Sequence, residues 1–400
     1  MNNRSFRKPH ASGMKITALL YMAPFLLMLN MAPAYSADAQ KILQVGWGKE
    51  FLLPSIAAKF ARDGDIIEID AGVYEKDAAS WKQNNLVIRA IGGRAHLKAA
   101  GAHAEGKAIW VIKGNDITIE NIEFSGAKVP DGNGAGIRIE GTNLTIRNCY
   151  FHDNENGILG GSNPNSDILI EFSEFARNGG GTGQTHNIYI GAVRSFTLRH
   201  SYSHHARVGH NVKSRALQND ILYNRIMDEE LGTSSYAIDL PNGGLSFIIG
   251  NEIQQGQNTE NSTIVSYGAE GLKNPDNALY FVNNTVVNDR ERGGRFLFTK
   301  PGTTEVRILN NIFVGKAQIE SSSPQMVNNI FDASGNGLMD RERFNYHLRK
   351  GAKAIDAGAE PGMARNFPLT PEFEYQHPLK HTPRTRQGMM DAGAHEFSGQ

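Results

Sequence analysis

Ile117-Thr118-Ile119-Glu120-Asn121 and Leu144-Thr145-Ile146-Arg147-Asn148 are two copies of one short unit, in which apolar and polar residues alternate before an asparagine. Related units begin at Ile168, Phe196 and Ile221, so that successive units start 24 to 28 residues apart. A repeat of this length is typical of stacked supersecondary units, none of which can bury its own apolar face. The period therefore predicts a solenoid.

A second short strand follows in each unit, as in Gly136-Ile137-Arg138-Ile139, Asn187-Ile188-Tyr189-Ile190 and Ala237-Ile238-Asp239-Leu240. Alternation of apolar and polar residues indicates one buried and one solvated face. Helical periodicity is weak throughout this region. Short strands at a regular period, without intervening helices, favour an all-β parallel β-helix over a Rossmann fold or a barrel.

The repeat divides the chain into three predicted parts. Residues 38–335 form the β-helix, and helical spacing over residues 54–61 predicts a short helix that caps its N-terminal end. Residues 336–400 are rich in Gly, Pro, His and charge, and are expected to pack on the β-helix as an irregular tail. Residues 1–37 combine four basic residues, an apolar run over 16–32 and a small-residue site near Ala37. This pattern is typical of a cleavable signal peptide.

The signal peptide, the net charge and the cysteine count limit where this protein can act and what it can bind. The signal peptide predicts a periplasmic or secreted protein without membrane contact after cleavage. A formal net charge of zero argues against nucleic acid as a partner. The single cysteine, Cys149, excludes an internal disulfide framework. The stacked core must then supply the stability. We also expect a monomer.

Asparagine recurs after the first strand of many units, which predicts a stacked amide ladder at one corner of the coil. Its expected members are Asn121, Asn148, Asn224, Asn251, Asn284, Asn311 and Asn329. Phe172 and His200 take the equivalent place in two units. The ladder is therefore predicted to break in the middle of the chain.

Segments near both ends resemble the signatures of one superfamily: Gly64-Asp65-Ile66-Ile67-Glu68-Ile69 with Gly72-Val73-Tyr74, Ala354-Ile355-Asp356-Ala357-Gly358, and Asp391-Ala392-Gly393-Ala394-His395-Glu396. On these segments, residues 42–398 resemble secreted proteins of the pectate-lyase-like superfamily. The resemblance implies a right-handed parallel β-helix. It leaves the reaction open, because lyases, hydrolases, epimerases and non-enzymatic proteins share that fold.

Stacking brings residues one period apart to within about 4.8 Å of one another. Aligning the second strands on their apolar positions predicts an outward column of Arg138, Leu159, Tyr189, Lys213, Asp239 and Val265. Three consecutive coils should then gather one polar group, here named the three-coil cluster: His186, Tyr189, His210, Lys213, Arg215 and Asp239. The plain alternative is a solvated polar surface, with His186 and His210 turned inward to cap the core.

The functional interpretation is turnover of an acidic, uronate-containing polysaccharide. Cations would neutralise the uronate carboxylates, and we assign substrate contacts to Arg215, Arg207, Arg138, His204 and His205. Neutralisation acidifies the adjacent C5 proton, which a base then removes. Protonating the leaving oxygen gives β-elimination, whereas returning a proton to the opposite face of C5 gives epimerisation. The two reactions share their first step.

Lys213 is the predicted base, because crowding by Arg215, Arg207 and histidines would favour its neutral form. Its strand resembles the lysine-containing strand of β-helix alginate and chondroitin lyases. Those families carry an arginine on the next coil, where this chain has Asp239. Tyr189 or His210 is the predicted acid, with Asp239 orienting either one and His186 adjoining them.

The sequence is also compatible with two other function classes and with one metal ion. No cofactor is required, but calcium is an alternative component with ligands from Asp228, Glu229, Glu230 and Asp239. A non-catalytic polysaccharide-binding or surface-scaffold protein is the main alternative function. Glycoside hydrolysis ranks third, with Asp239 and either Glu229 or Glu230 as the two carboxylates.

Overall fold

The computed structural model describes residues 40–399, which form an all-β parallel β-helix of about 10 turns. One wall of the coil is a ten-stranded parallel sheet, to which each turn contributes one strand. Its strands are β3 (Ala79–Trp81), β5 (Ala108–Ile112), β8 (Ala135–Ile139), β11 (Asn156–Gly160), β14 (Ile188–Ile190), β17 (Val212–Ser214), β20 (Ile238–Leu240), β23 (Thr263–Tyr267), β26 (Arg295–Thr299) and β29 (Gln318–Glu320).

A 21-stranded parallel sheet forms the rest of the coil wall. Most turns contribute two strands to it, joined by a bend at a residue with positive φ. The strands are β1 (Ile42–Val45), β2 (Ile66–Glu75), β4 (Val87–Lys98), β6 (Ile117–Glu120), β7 (Ile122–Ser125), β9 (Leu144–Arg147), β10 (Tyr150–His152), β12 (Asn163–Glu171), β13 (Glu174–Ala176), β15 (Val193–Arg199), β16 (Tyr202–His204), β18 (Gln218–Leu222), β19 (Arg225–Met227), β21 (Leu245–Ile249), β22 (Glu252–Gln255), β24 (Ala278–Val282), β25 (Thr285–Asn288), β27 (Glu305–Leu309), β28 (Ile312–Gly315), β30 (Gln325–Val327) and β31 (Ile330–Asp332).

The core lies inside the coil and consists of columns of like residues. Phe124, Phe151 and Phe175 stack on consecutive turns with ring centroids 4.9 Å apart in each step. Strands such as β9 alternate buried and half-buried residues, as the sequence pattern predicts. Each coil therefore buries its apolar face only by stacking on its neighbours. A stable solenoid consequently needs many coils.

A helix closes the N-terminal end. Among the described residues it is the single α-helix, α1 (Pro54–Phe60), and it lies within the predicted range. Pro54 begins it, where a missing N–H costs no helical hydrogen bond. Ala57 and Ala58 are buried against the first coil. No helix within residues 40–399 is long and apolar enough to cross a membrane. The predicted signal peptide lies outside the described residues.

The C-terminal tail is more regular than predicted. It contains three antiparallel hairpins: β32 (Leu338–Asp340) with β33 (Asn345–Leu348), β34 (Met363–Ala364) with β35 (Phe367–Pro368), and β36 (Phe373–Gln376) with β37 (Lys380–Pro383). Tyr346 and Tyr375 pack on apolar residues that face outward from the coil, among them Tyr202 and Met227. His395 Nε2 lies 2.7 Å from Glu252 Oε1. The tail thus covers the outside of the middle and last coils.

The predicted asparagine ladder is really two adjacent columns, and the predicted break lies in the first of them. Asn121 and Asn148 have positive φ and share their column with Phe172, His200 and Tyr223. In that column Phe172, His200 and Tyr223 stack at 5.0 and 5.4 Å. The other asparagines occupy the next position. There the side-chain amides of Asn224, Asn251, Asn284, Asn311 and Asn329 bond one to the next at 2.9–3.0 Å.

Candidate active site

The ten-stranded sheet brings Tyr189, Lys213 and Asp239 side by side on three neighbouring strands. Tyr189 pairs with Lys213 across β14 and β17, and Lys213 pairs with Asp239 across β17 and β20. One strand later the predicted register is wrong, since Asp239 faces Ser266 and not Val265. Residues paired in parallel strands project to the same face, so the three side chains leave the sheet together.

Asp239 is the centre of the buried part of the cluster. Its Oδ2 lies 3.2 Å from Nζ of Lys213 and 3.5 Å from Nε2 of His210. The Asp239 side chain is only 4% exposed, compared with 11% for Lys213. Burial raises the pKa of the Asp239 carboxyl, while the ammonium of Lys213 acts in the opposite direction. One carboxylate oxygen therefore contacts both a lysine and a histidine away from bulk water.

His186 and His210 form a stacked pair beneath this group, with ring centroids 4.6 Å apart. The backbone N–H of His210 donates to Nδ1 of His186, and that of Tyr236 donates to Nδ1 of His210, at 3.0 and 3.4 Å. Each neutral ring consequently carries its proton on Nε2. Burial lowers the pKa of His186 to about 3 and that of His210 well below its usual value, with Lys213 adding to both shifts. Both imidazoles are neutral at pH 7.

Arg215 organises the more exposed side of the cluster. Its Nε donates to Oη of Tyr189 at 2.9 Å, and its Nη1 donates to Oδ1 of Asn242 at 2.7 Å. The two Nη atoms also hold the carboxylate of Glu270, at 2.8 and 3.0 Å. Oε1 of Glu270 lies 3.5 Å from Nζ of Lys213. A carboxylate is thus bound by an arginine fork and a lysine, and the hydrogen bonds from Arg215 lower the pKa of Glu270.

Glu270 escapes sequence reasoning because it lies outside the repeat. It belongs to the connection between β23 and β24, residues 268–277, whereas the equivalent connection after β17 is only residues 215–217. Gly268 and Gly271 in this insertion have φ values of 76° and 113°, which favour glycine. The longer interval between neighbouring units was the available signal for an added loop beside the cluster.

The fold can now be compared with known proteins. No protein-family model matches the sequence, and no curated protein matches it. Among solved structures, pectate lyase Pel9A matches with a TM-score of 0.61 and 13% identity, over 90% of this chain and 97% of its own. The chain has the pectate-lyase-like β-helix fold. An alginate lyase from Paenibacillus sp. str. FPU-7 matches with a TM-score of 0.44 and 12% identity, over 73% of this chain and 99% of its own.

The charges around Lys213 in this pectate-lyase-like fold differ from the prediction. The charged side chains that contact Nζ are the carboxylates of Asp239 and Glu270. Arg207 instead binds Oδ1 of Asp153 through its Nη2, at 2.6 Å. Arg207 is therefore not one of the cations near Lys213, whereas Arg215 is, because Arg215 and Lys213 both bind Oε1 of Glu270. Any function as a base requires that Lys213 pass a proton to one of these carboxylates.

Three of the five predicted substrate contacts lie in another cluster. His204 Nε2 is 3.3 Å from Glu174 Oε1, and His204 and His205 bond to each other through their Nδ1 atoms at 2.7 Å. His204 contacts Glu174 of the 21-stranded sheet, and the partner of Arg207, Asp153, directly follows β10 of that sheet. Arg138 does lie in the outward column, but Leu159 separates it from Tyr189 by one strand. Of the five, Arg215 alone contacts the members of the three-coil cluster.

The four carboxylates suggested for calcium have separate partners. Asp228 accepts the backbone N–H groups of Ser234 and Gly256, and burial raises its pKa to about 6. Glu229 binds Tyr202 and Arg225, and Glu230 is exposed. Asp239 contacts Lys213. Within the described part of the chain, no three of the four bring oxygen atoms within 4.8 Å of one another.

The cluster has three chemical capacities. Arg215 and Lys213 can bind a carboxylate, as they do with Glu270. Lys213 and Asp239 can exchange a proton over 3.2 Å. Tyr189 accepts the Arg215 hydrogen bond through its oxygen, which leaves its own O–H free to donate. His186 and His210, as neutral rings beneath the group, fix Asp239 and exclude water.

Proposed function

We propose that this chain is an exported carbohydrate-active enzyme that binds a uronate-containing polysaccharide at the three-coil cluster and removes the proton at C5. The observation that carries the proposal is the carboxylate of Glu270 in the fork of Arg215 beside Lys213. A uronate carboxylate has the same charge and geometry as this side chain. The solved neighbour with TM-score 0.61 is a pectate lyase, which supports the same substrate class.

The first step follows from the charges. A substrate carboxylate that displaces Glu270 would be neutralised by Arg215, which stabilises the negative charge that develops when the C5 proton leaves. Lys213 acts as the base after its own proton passes to Asp239, whose burial favours the protonated carboxyl. The amine then takes the C5 proton. In this order of proton transfers, Asp239 is the proton acceptor for Lys213.

The second step decides between two products. In β-elimination, the electron pair of the C5–H bond forms the C4–C5 double bond, the C4–O bond breaks, and the leaving oxygen takes the Tyr189 proton. In epimerisation, the carbanion regains a proton on the opposite face of C5. The free O–H of Tyr189 on the exposed side of the sheet favours elimination, because it supplies an acid for the leaving oxygen.

Deuterium exchange and ultraviolet absorbance together test the step that both reactions share, because epimerisation returns a hydrogen to C5 whereas elimination leaves a double bond there. The protein is incubated in D₂O with alginate, pectate, glycosaminoglycans and the exopolysaccharide of the host. NMR then follows deuterium at C5 and the epimer ratio, and ultraviolet absorbance follows unsaturated ends. Lys213→Met and Tyr189→Phe should each lower the rate by about 100-fold or more, while Lys300→Met on an exposed turn should not. Absence of exchange and of unsaturated ends on every polymer would refute the proposal.

The same experiment addresses the non-catalytic alternative. A binding or scaffold protein would retain one of these polymers, with Kd unchanged by Lys213→Met, and would give neither C5 exchange nor unsaturated ends. The enzyme instead requires binding and either exchange or unsaturated ends on the same polymer. Export is tested separately: the protein recovered outside the cytoplasm should begin near residue 38 by N-terminal sequencing.

A further inference from the structure

Two histidines and one glutamate from three consecutive coils meet on the 21-stranded sheet. His96 on β4 pairs with Glu123 on β7, and His152 on β10 lies two residues beyond the partner of Glu123 on that strand. Oε1 of Glu123 lies 3.4 Å from Nδ1 of His96 and 3.1 Å from Nε2 of His152. The three side chains are about one-fifth exposed, so the group is open to solvent on one side. The three-coil cluster lies on the other sheet.

The remaining ring nitrogens are already held by neighbouring side chains. Nε2 of His96 is 2.6 Å from Oγ of Ser125, and Nδ1 of His152 is 2.8 Å from Oδ2 of Asp153. Asp153 is held in turn by Arg177, at 3.1 Å. Partners of this kind fix the orientation of metal-binding histidines and direct the other nitrogen at the ion. Both free nitrogens here point toward the same carboxylate oxygen.

Hydrogen bonds alone do not satisfy this arrangement with a neutral ring. Nδ1 of His152 must carry a proton to donate to Asp153, and Nε2 of the same ring faces another carboxylate, that of Glu123. A neutral imidazole has one N–H and can serve only one of them. A cation bound to Nε2 and to Glu123 satisfies both contacts without a second proton.

We propose that His96, Glu123 and His152 bind one divalent transition-metal ion, with zinc as the best-matched ion. Two imidazoles and one carboxylate form a donor set that suits zinc. Zinc ligands at about 2.1 Å in a tetrahedron are ~3.4 Å apart, close to the observed 3.4 and 3.1 Å. The solvent side leaves the fourth position for water. The ion would join three consecutive coils.

A second His–Glu group, His347 with Glu374 and His395, lies in the tail and also brings three possible ligand atoms within 4.8 Å of one another. His395 directs Nε2 to Glu252 at 2.7 Å and Nδ1 to Glu374 at 3.4 Å. Carboxylates therefore occupy both nitrogens of a ring that is 1% exposed. The difference from the His96 group is burial, because the His96 and His152 rings are open to solvent on one side whereas the His395 ring is not. Replacing His347 distinguishes the two groups, since it removes a possible ligand of the tail group alone.

Zinc titration of the full chain tests the proposal. After dialysis against a chelator, calorimetry with Zn²⁺ should give one ion per chain, and Co²⁺ should give the visible absorption of a tetrahedral site. His96→Asn, His152→Asn and Glu123→Gln should each weaken binding by about 100-fold or more, and Asp153→Asn by about 10–100-fold. His347→Asn should change it less than twofold. Metal-free thermal unfolding checks that each variant is folded.

Two results would overturn the proposal. One is the absence of zinc uptake at micromolar protein concentration by a folded chain. The other is uptake that persists in the folded His96→Asn and His152→Asn variants or is lost in His347→Asn, since either would locate the ion elsewhere. Zinc should also raise the melting temperature of the wild-type chain, and the Glu123→Gln variant should lose that increase.

Discussion

Replacing Glu270 by glutamine should make uronate oligosaccharides bind more tightly. In the proposed site, the Glu270 carboxylate occupies the Arg215 fork at 2.8 and 3.0 Å, so a substrate carboxylate must first displace it. The Glu270 side chain is 45% exposed, which places this pair in the range of solvent-exposed ion pairs, at about 0.2–1 kcal/mol. Removing a competitor of about 1 kcal/mol raises the apparent affinity about 5-fold. A pair energy of about 0.2 kcal/mol would raise the affinity only about 1.4-fold.

Calorimetric titration with a defined uronate oligosaccharide measures this change in Kd. The matched control for the loss of one negative charge is Glu260→Gln, at an exposed residue in the connection between β22 and β23. High salt should reduce the difference between variant and wild type, because exposed ion pairs are screened. Weaker binding by Glu270→Gln would refute the reasoning, since Glu270 would then contact the substrate directly. An unchanged Kd would place the substrate carboxylate outside the Arg215 fork.

Three further predictions concern stability. Asn284→Ala should lower the free energy of unfolding in urea by about 2–4 kcal/mol, because it leaves the buried partners of a ladder amide unsatisfied. Phe151→Ala should cost about 3–5 kcal/mol in the same assay by opening the aromatic column, and Phe151→Leu clearly less. Burial lowers the pKa of His395, but the hydrogen bonds that its ring donates to the carboxylates of Glu252 and Glu374 outweigh burial and raise the pKa to about 9. Its contribution to stability, on the order of 3 kcal/mol, is fully present below about pH 6.5 and is lost as the pH rises through 9. Melting temperatures between pH 6 and 10 should therefore fall more steeply for the wild type than for His395→Gln, and parallel curves would contradict this assignment.

The sequence predicts most of the coil because alternation identifies strands and their buried face. Register is less secure where alternation fails. Ile264 and Val265 are both fully buried, so the apolar pattern does not tell which of them pairs with Ile238. The two asparagine columns merge for a similar reason: pairs such as Asn283-Asn284 and Asn310-Asn311 supply both positions.

The sequence predicts those residues of the candidate site that occupy equivalent positions in successive repeats. Tyr189, Lys213 and Asp239 meet because they occupy equivalent positions on successive strands. Glu270 was not predictable in the same way, since it reaches the site from an insertion. His204 and His205 are close to Lys213 in sequence but belong to another sheet, because the coil turns between β16 and β17. Equivalent positions in successive repeats therefore predict which residues meet in this fold. Short distance along the chain does not.

The tail has a consequence for the order of folding. Contacts such as Glu252–His395 join residues 143 positions apart, and they close a loop far longer than one coil. Contacts of such separation form late, because the entropy of closing the loop is lost before they can stabilise it. The coils can wind from either end by local steps, but the tail can dock only on turns that already exist. A chain cut before the tail would keep its solenoid contacts and expose the apolar outside around Tyr202 and Met227, which makes aggregation its expected fate.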